Sequence, residues 1–393
     1  MSRTYKVISS DGHLEGPPDD FLPYVAPKYR ELAPRRVPTP GGGDSWLIEG
    51  QPLWHTGTNL AAGAKPKRRG KSYWNEDGTR STGAGDAVQR LREQDRDGLD
   101  AEVLFPPIFA VEALTGISDP EAYLAIVQGY NTYLAEAYCP VAPDRLIANG
   151  VIPARSIDSA LAELERCAQL GLRTVTLSAF PNGSPHPKPE DDRFWEAALA
   201  LGMPVSAHIY FGAPFPPTVT GQGQPGASPD AIALATRQSI ERPTYTLAQA
   251  MVAGVFDRFP DLKLYFAETN ASWLPIGLQQ MDENYKLYEH TFVRRLQKLP
   301  SEYVRDHVYF CFIQDRAALR MIDLLPSDNL MWGTDFPHSV TSFPNSQAWL
   351  DNAFAGVDEG VRRKILLETP AAYFKLDLSA TLTPTPVDAP AGV

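Results

Sequence analysis

Asp11-Gly12-His13 ends a short apolar run, Val7-Ile8, and sets an anionic oxygen and an imidazole two residues apart. On an extended strand, residues i and i+2 share a face, and a glycine between them admits a close neighbour. Such a pair suits a divalent cation, yet an acid and an imidazole at a strand end also make an ordinary hydrogen-bonded pair. Three further apolar runs end in similar chemistry: 204–209 carries His208, 262–268 ends in Glu268, and 330–335 ends in Asp335. Each alone has a plain structural role, since a strand-end carboxylate often caps the next helix. Together, two imidazoles and three carboxylates can hold Zn2+, Mn2+ or Fe2+, as one ion or two.

The elements that must position these residues alternate in type. Helical patterns cover 86–97, 120–139, 156–170, 193–201, 246–259, 274–289, 316–325 and 359–374. Between them lie apolar, strand-like runs at 101–105, 146–153, 174–178, 204–209, 262–268, 308–312 and 330–335. With Val7-Ile8 counted first there are eight strands, which predicts a (β/α)8 TIM-like barrel rather than an open, doubly wound sheet. Functional residues of such a barrel gather at the C-terminal ends of its strands, where the five candidates fall. The expected organisation is one domain over 1–378, with long loop insertions at about 21–90 and 211–230 and a flexible tail over 379–393. The first insertion contains a small β-hairpin pattern, Trp46-Leu47-Ile48-Glu49 with Pro52-Leu53-Trp54 around Gly50-Gln51, and both insertions are expected to cover the site.

Composition excludes several classes. The net charge of −11 and the single short basic cluster, 65–71, argue against a nucleic-acid partner. The three cysteines, Cys139, Cys167 and Cys311, have no paired spacing, so a disulfide framework and a zinc ribbon are not expected. Neither a signal-peptide pattern nor a run of ~20 apolar residues is present, so a cytoplasmic protein without a membrane partner is expected.

The motifs resemble the amidohydrolase superfamily, in the branch of aminocarboxymuconate-semialdehyde decarboxylase and related aromatic-acid decarboxylases. The first-strand pair Asp11/His13, the Ser206-Ala207-His208 run, and above all Trp332-Gly333-Thr334-Asp335-Phe336-Pro337-His338 carry the resemblance. Asp95 to Asp100 and Pro143 to Leu146 are similar to the family's segments entering the second and third strands. The resemblance implies Asp11, His13, His208 and Asp335 around the metal, with Asp335 as general base, and a homodimer or related subunit as partner; Glu268 joins the ligand set only by its place at a strand end. The sixth strand departs from the branch, with Glu268 where a histidine followed by glycines is usual.

A carboxylate there cannot do the work of an imidazole, which favours a hydrolase of a small amide, ester or acyl substrate by metal-activated water. The alternatives are a non-oxidative decarboxylase of a small aromatic or unsaturated acid, a dinuclear Fe/Mn oxygenase, and a catalytically silent partner subunit. His208 and Glu268 are candidate catalytic residues beside Asp335; His338, Trp273 and Tyr210 are candidate substrate contacts. Arg96, Arg145 and Tyr265 are weaker candidates for a substrate carboxylate, and strand alternation would turn Tyr265 away from a site that Glu268 faces.

Overall fold

The computed structural model describes residues 3–39, 42–52, 60–62, 72–107, 114–209, 211–212 and 243–386. Its strands are β1 (Ile8–His13), β2 (Arg35–Pro38), β3 (Asp44–Ile48), β4 (Gln51–Pro52), β5 (Ala101–Phe105), β6 (Leu146–Val151), β7 (Thr174–Leu177), β8 (Val205–His208), β9 (Leu264–Ala267), β10 (Val308–Phe312) and β11 (Leu330–Trp332). Eight of them form one parallel sheet in the order β1-β5-β6-β7-β8-β9-β10-β11. Closure comes just past β11, where Asp335 N donates to Asp11 O at 2.8 Å and His13 N donates to Phe336 O at 2.7 Å. The chain therefore folds as the expected (β/α)8 barrel.

Alternation along the strands separates two apolar sets. Ile8, Val103, Phe105, Ile147, Tyr265, Ala267, Cys311 and Met331 pack with one another inside the barrel. Their neighbours, among them Leu104, Val205, Phe266, Phe310 and Trp332, pack outward against the helices. Helix boundaries follow local chemistry: Asp86 caps Ala87–Asp97 by accepting from Gln89 N, and Gly98 ends it with φ +77°. Ser156 caps Ile157–Gln169 in the same way, through Ser159 N.

Several expectations need correction. The helical stretch over 246–259 begins earlier, at 243, and breaks at Gly254, whose φ of +71° is a helix-ending conformation. The connection before β10 contains a helix, Pro300–His307, started by a proline and by Glu302, which accepts from Leu299 N. The hairpin is real, but it turns at Glu49 and Gly50, both with positive φ, and β2 adds a third antiparallel strand. Its expected residues Leu53 and Trp54, and the 211–230 insertion apart from Phe211 and Gly212, lie outside the described residues.

Part of the expected tail, residues 382–385, is hydrogen-bonded to the barrel. Leu382 is buried and its N–H donates to Arg3 O at 2.9 Å, Thr383 N donates to Asp144 Oδ2 at 2.6 Å, and Thr385 hydroxyl donates to Asp95 Oδ2 at 2.5 Å. Leu382 joins Tyr5 and Phe374 in the barrel's inner apolar set, so this segment caps the end of the barrel away from the strand C-termini. The cysteines are free and buried, and no described helix is long and apolar enough to cross a membrane.

Candidate metal centre

β1 slips register against β5 between Ser9 and Gly12, and beyond the slip Gly12 pairs with Leu104 and His13 with Phe105. Asp11 and His13 thereby meet Asp335, brought alongside by the closure of the barrel. His13 Nε2 lies 3.5 Å from Asp11 Oδ1 and 3.1 Å from Asp335 Oδ1. His208, the last residue of β8, places Nε2 3.9 Å from Asp11 Oδ1 and 3.6 Å from Glu268 Oε2. All five sequence candidates thus converge. Phe105 supplies an apolar wall, its ring centroid 6.0 Å from that of His13 and 5.2 Å from that of His208.

Two of the acids sit on unusual backbone. Glu268 and Asp335 have φ of +57° and +54°, in the left-handed region, which costs a non-glycine residue roughly 1–2 kcal/mol. That conformation breaks strand alternation after Ala267, so the parity that turned Tyr265 away does not hold. Tyr265 faces the barrel interior below the site, where its hydroxyl donates to Ser10 O at 2.8 Å and is shut off from solvent.

The donor atoms fit a cation. Both Asp11 oxygens, Asp335 Oδ2 and His13 Nε2 are buried without a well-formed hydrogen bond among the described residues. His13 Nδ1 donates to Pro106 O at 3.2 Å, which fixes the tautomer and leaves Nε2 with a lone pair directed at the acids. Burial, reinforced by the charge of His338, lowers the His13 pKa; burial and His13 hold His208 well below 6.5. Both imidazoles are therefore neutral, as a ligand must be. Burial, then Asp335 and Glu268, push Asp11 well above the ordinary carboxylate range, and burial with Asp335 lifts Glu268 to about 8. Such crowding of acids is relieved by a bound divalent ion.

Asp335 is the exception. Burial would raise it, but the charged His338 outweighs burial and keeps it ionised. His338 Nδ1 stands 2.8 Å from Asp335 Oδ1, its Nε2 stands 3.1 Å from Glu15 Oε1, and its ring stacks on His13 at 3.9 Å. Burial disfavours the charge on His338, yet Asp335 and Glu15 overcome it and hold the imidazole protonated. Glu15 was missed from the sequence, although Asp11-x-His13-x-Glu15 continues the same period of two.

The other expected contacts fall elsewhere. Trp273 packs edge-on against Phe310 in the helix-facing layer, with its indole N–H on Thr269 O, because it begins the helix Leu274–Tyr288. Arg145 is buried at the opposite end of the barrel on Asp100 O, Asp95 and Thr385, and Arg96 is exposed beside Phe343. Tyr210 lies outside the described residues.

The seam is tight. A Cβ on Gly333 would stand 2.4 Å from Asp11 Cβ and 2.8 Å from Asp11 N. Gly333→Ala is therefore expected to cost about 1–3 kcal/mol, as overpacking against backbone does, and to lower the urea midpoint of the metal-free protein.

The amidohydrolase family model matches residues 58–376. The chain belongs to the amidohydrolase family. Among curated proteins, the 2-amino-3-carboxymuconate-6-semialdehyde decarboxylase of Dictyostelium discoideum is 24% identical over 254 residues, which is 63% of this chain and 66%, just under two thirds, of that one. Among solved structures, the amidohydrolase map2389c of Mycobacterium avium subsp. paratuberculosis K-10 matches with a TM-score of 0.70 and 18% identity, covering 95% of this chain and 100% of that one. A dihydroxybenzoic acid decarboxylase from Polaromonas sp. JS666, solved with bound manganese and the inhibitor 2-nitroresorcinol, matches with a TM-score of 0.60 and 21% identity, covering 76% and 88%. This amidohydrolase accordingly has a barrel that is shared with decarboxylases.

Proposed function

We propose that this amidohydrolase is a metal-dependent decarboxylase of a small aromatic or unsaturated carboxylic acid. The observation that carries the proposal is His338, whose Nδ1 lies 2.8 Å from Asp335 Oδ1 inside the ligand cluster. Hydrolysis was favoured over decarboxylation because the sixth strand offers a carboxylate, Glu268, in place of an imidazole. The loop after β11 delivers an imidazole to the same cluster, which removes that objection, and the relatives named as decarboxylases support the same choice.

Asp11, His13, His208, Glu268 and Asp335 would hold the divalent ion, with Mn2+ first to try because the Polaromonas decarboxylase carries manganese. When bound, the ion supplies Lewis-acid stabilisation of negative charge on substrate oxygens. The Asp335–His338 pair stores one proton beside the site, and Glu15 keeps His338 from turning away. That proton goes to the carbon bearing the substrate carboxylate. A C–H bond forms there, the C–C bond to the carboxylate breaks, its electron pair returns to the unsaturated system, and CO2 leaves. One proton is consumed, water restores it to the pair, and no electrons are exchanged with an outside partner.

The test is CO2 release by Mn2+-loaded protein from a panel of hydroxybenzoates and unsaturated dicarboxylates, run beside amides, esters and lactones. Turnover of one acid with stoichiometric CO2 is expected. Hydrolysis of an ester or amide without any CO2-releasing acid would overturn the proposal and restore the hydrolase.

A further inference from the structure

We propose that Arg90 and Glu102 act as a positioning clamp, which sets the separation of β1 and β11 and so tunes the metal centre from outside it. The inference rests on the metal-centre reading above. Arg90, on the helix Ala87–Asp97, and Glu102, on the outward face of β5, are both almost completely buried. Neither touches the candidate ligand side chains.

The guanidinium serves three separate chain segments. Arg90 Nε donates to Glu102 Oε2 at 2.8 Å, Nη1 to His13 O at 3.0 Å, and Nη2 to Phe336 O at 3.2 Å. The first carbonyl belongs to a candidate ligand residue and the second to the residue after Asp335. Glu102 grips the same two segments with its other oxygen. Its Oε1 accepts from the hydroxyl of Thr334, the residue before Asp335, at 3.1 Å, and a Cβ on Gly12 would come within 2.1 Å of it. The glycine between Asp11 and His13 is thus vacant space filled by Glu102.

Energetics make a purely stabilising role a poor account of this pair. A buried ion pair can often be replaced by apolar side chains of like volume without loss, because desolvation offsets attraction. No apolar side chain, however, could donate to the His13 carbonyl, or add a second donor to the Phe336 carbonyl that already accepts from His13 N. Arginine's planar fork holds its acceptors in fixed relative positions, which lysine cannot reproduce. The clamp therefore fixes the gap in which Asp11, His13 and Asp335 stand.

The test compares Arg90→Lys with Asp97→Ala, a control that removes an unrelated buried carboxylate bonded to Ser346 N at 2.9 Å and Ser346 Oγ at 2.5 Å. Urea midpoints are measured on metal-free protein, and Mn2+ dissociation constants by the EPR signal of free Mn2+. Arg90→Lys is expected to weaken Mn2+ binding at least about tenfold, as loss of groups that orient ligands does, whereas Asp97→Ala loses stability and keeps wild-type affinity. Glu102→Gln, which keeps the shape and loses the charge, is expected to weaken Mn2+ in the same direction and supplies the comparison if Arg90→Lys does not fold. Wild-type Mn2+ affinity in a folded Arg90 or Glu102 variant would overturn the clamp. A wild-type protein that binds neither Mn2+ nor Zn2+ would overturn the metal reading, and the clamp with it.

Discussion

Asp335→Asn is expected to lower kcat/KM by about 10^3-fold or more while leaving the barrel folded, the scale expected when a proton-transfer group beside the reacting atom is lost. Asparagine matches the side chain in shape and is among the residues that tolerate the left-handed backbone found here, at φ +54°. What disappears is the charge. The carboxylate faces both His338 Nδ1 and His13 Nε2, and it is the main reason that His338 stays protonated in spite of burial. Without it the proton store is emptied and one candidate ligand is neutralised together. The measurement is CO2 release under saturating Mn2+, with circular dichroism to check the fold. Activity within tenfold of wild type would take Asp335 out of the proton pair.

Mn2+ affinity is expected to fall steeply as pH drops below about 8, because Glu268, lifted there by burial and by Asp335, must lose its proton before it can bind a cation. One displaced proton gives up to about tenfold per pH unit, and Asp11, also raised, steepens the slope at lower pH. Glu268→Gln removes the upper step, leaving weaker binding with a shallower pH dependence. Metal-free protein should show the opposite sign. The folded pKa of Glu268 lies above its ordinary 4.5, so the folded state binds the extra proton, and the stability this gives is complete below 4.5 and lost as pH rises through about 8. Calorimetric titrations with Mn2+ and thermal midpoints of the metal-free protein across pH 5 to ~9 measure both arms. A wild-type affinity that is flat over that range would contradict Glu268 as a ligand.

The eight barrel strands were readable because each is a short apolar run stopped by a turn or a change of period, and burial on both faces leaves little room for polar residues in between. The ligand candidates were readable for the opposite reason: Asp11, His208, Glu268 and Asp335 interrupt apolar runs at the end where a barrel does its chemistry. Tyr265 was misplaced because alternation was carried one residue too far, through a left-handed Glu268 that sequence does not reveal. Trp273 lies close to Glu268 in the chain, but the helix it starts carries it to the other side of the sheet. His338 and Glu15 became partners only through closure of the barrel. Arg90 was hidden in a helical pattern, where an arginine ordinarily means solvent, and only the structure shows it reaching two backbone carbonyls. The bonds of residues 382–385 were likewise illegible, since a Pro- and Thr-rich segment has no periodicity to say what it will rest on.

The seam between the first and last strands has a consequence for synthesis. Ser9 and Thr334, hydrogen-bonded to each other beside the ligands, are 325 residues apart in the chain. A ribosome-bound fragment carries Asp11 and His13 from the start but cannot present Asp335 until almost the whole barrel has emerged. If these residues hold an ion as proposed, early fragments would lack a complete cage and have little means of retaining it, and loading would be deferred until the circle of strands is shut. Metal content would then mark finished molecules, separating them from truncated or half-assembled ones.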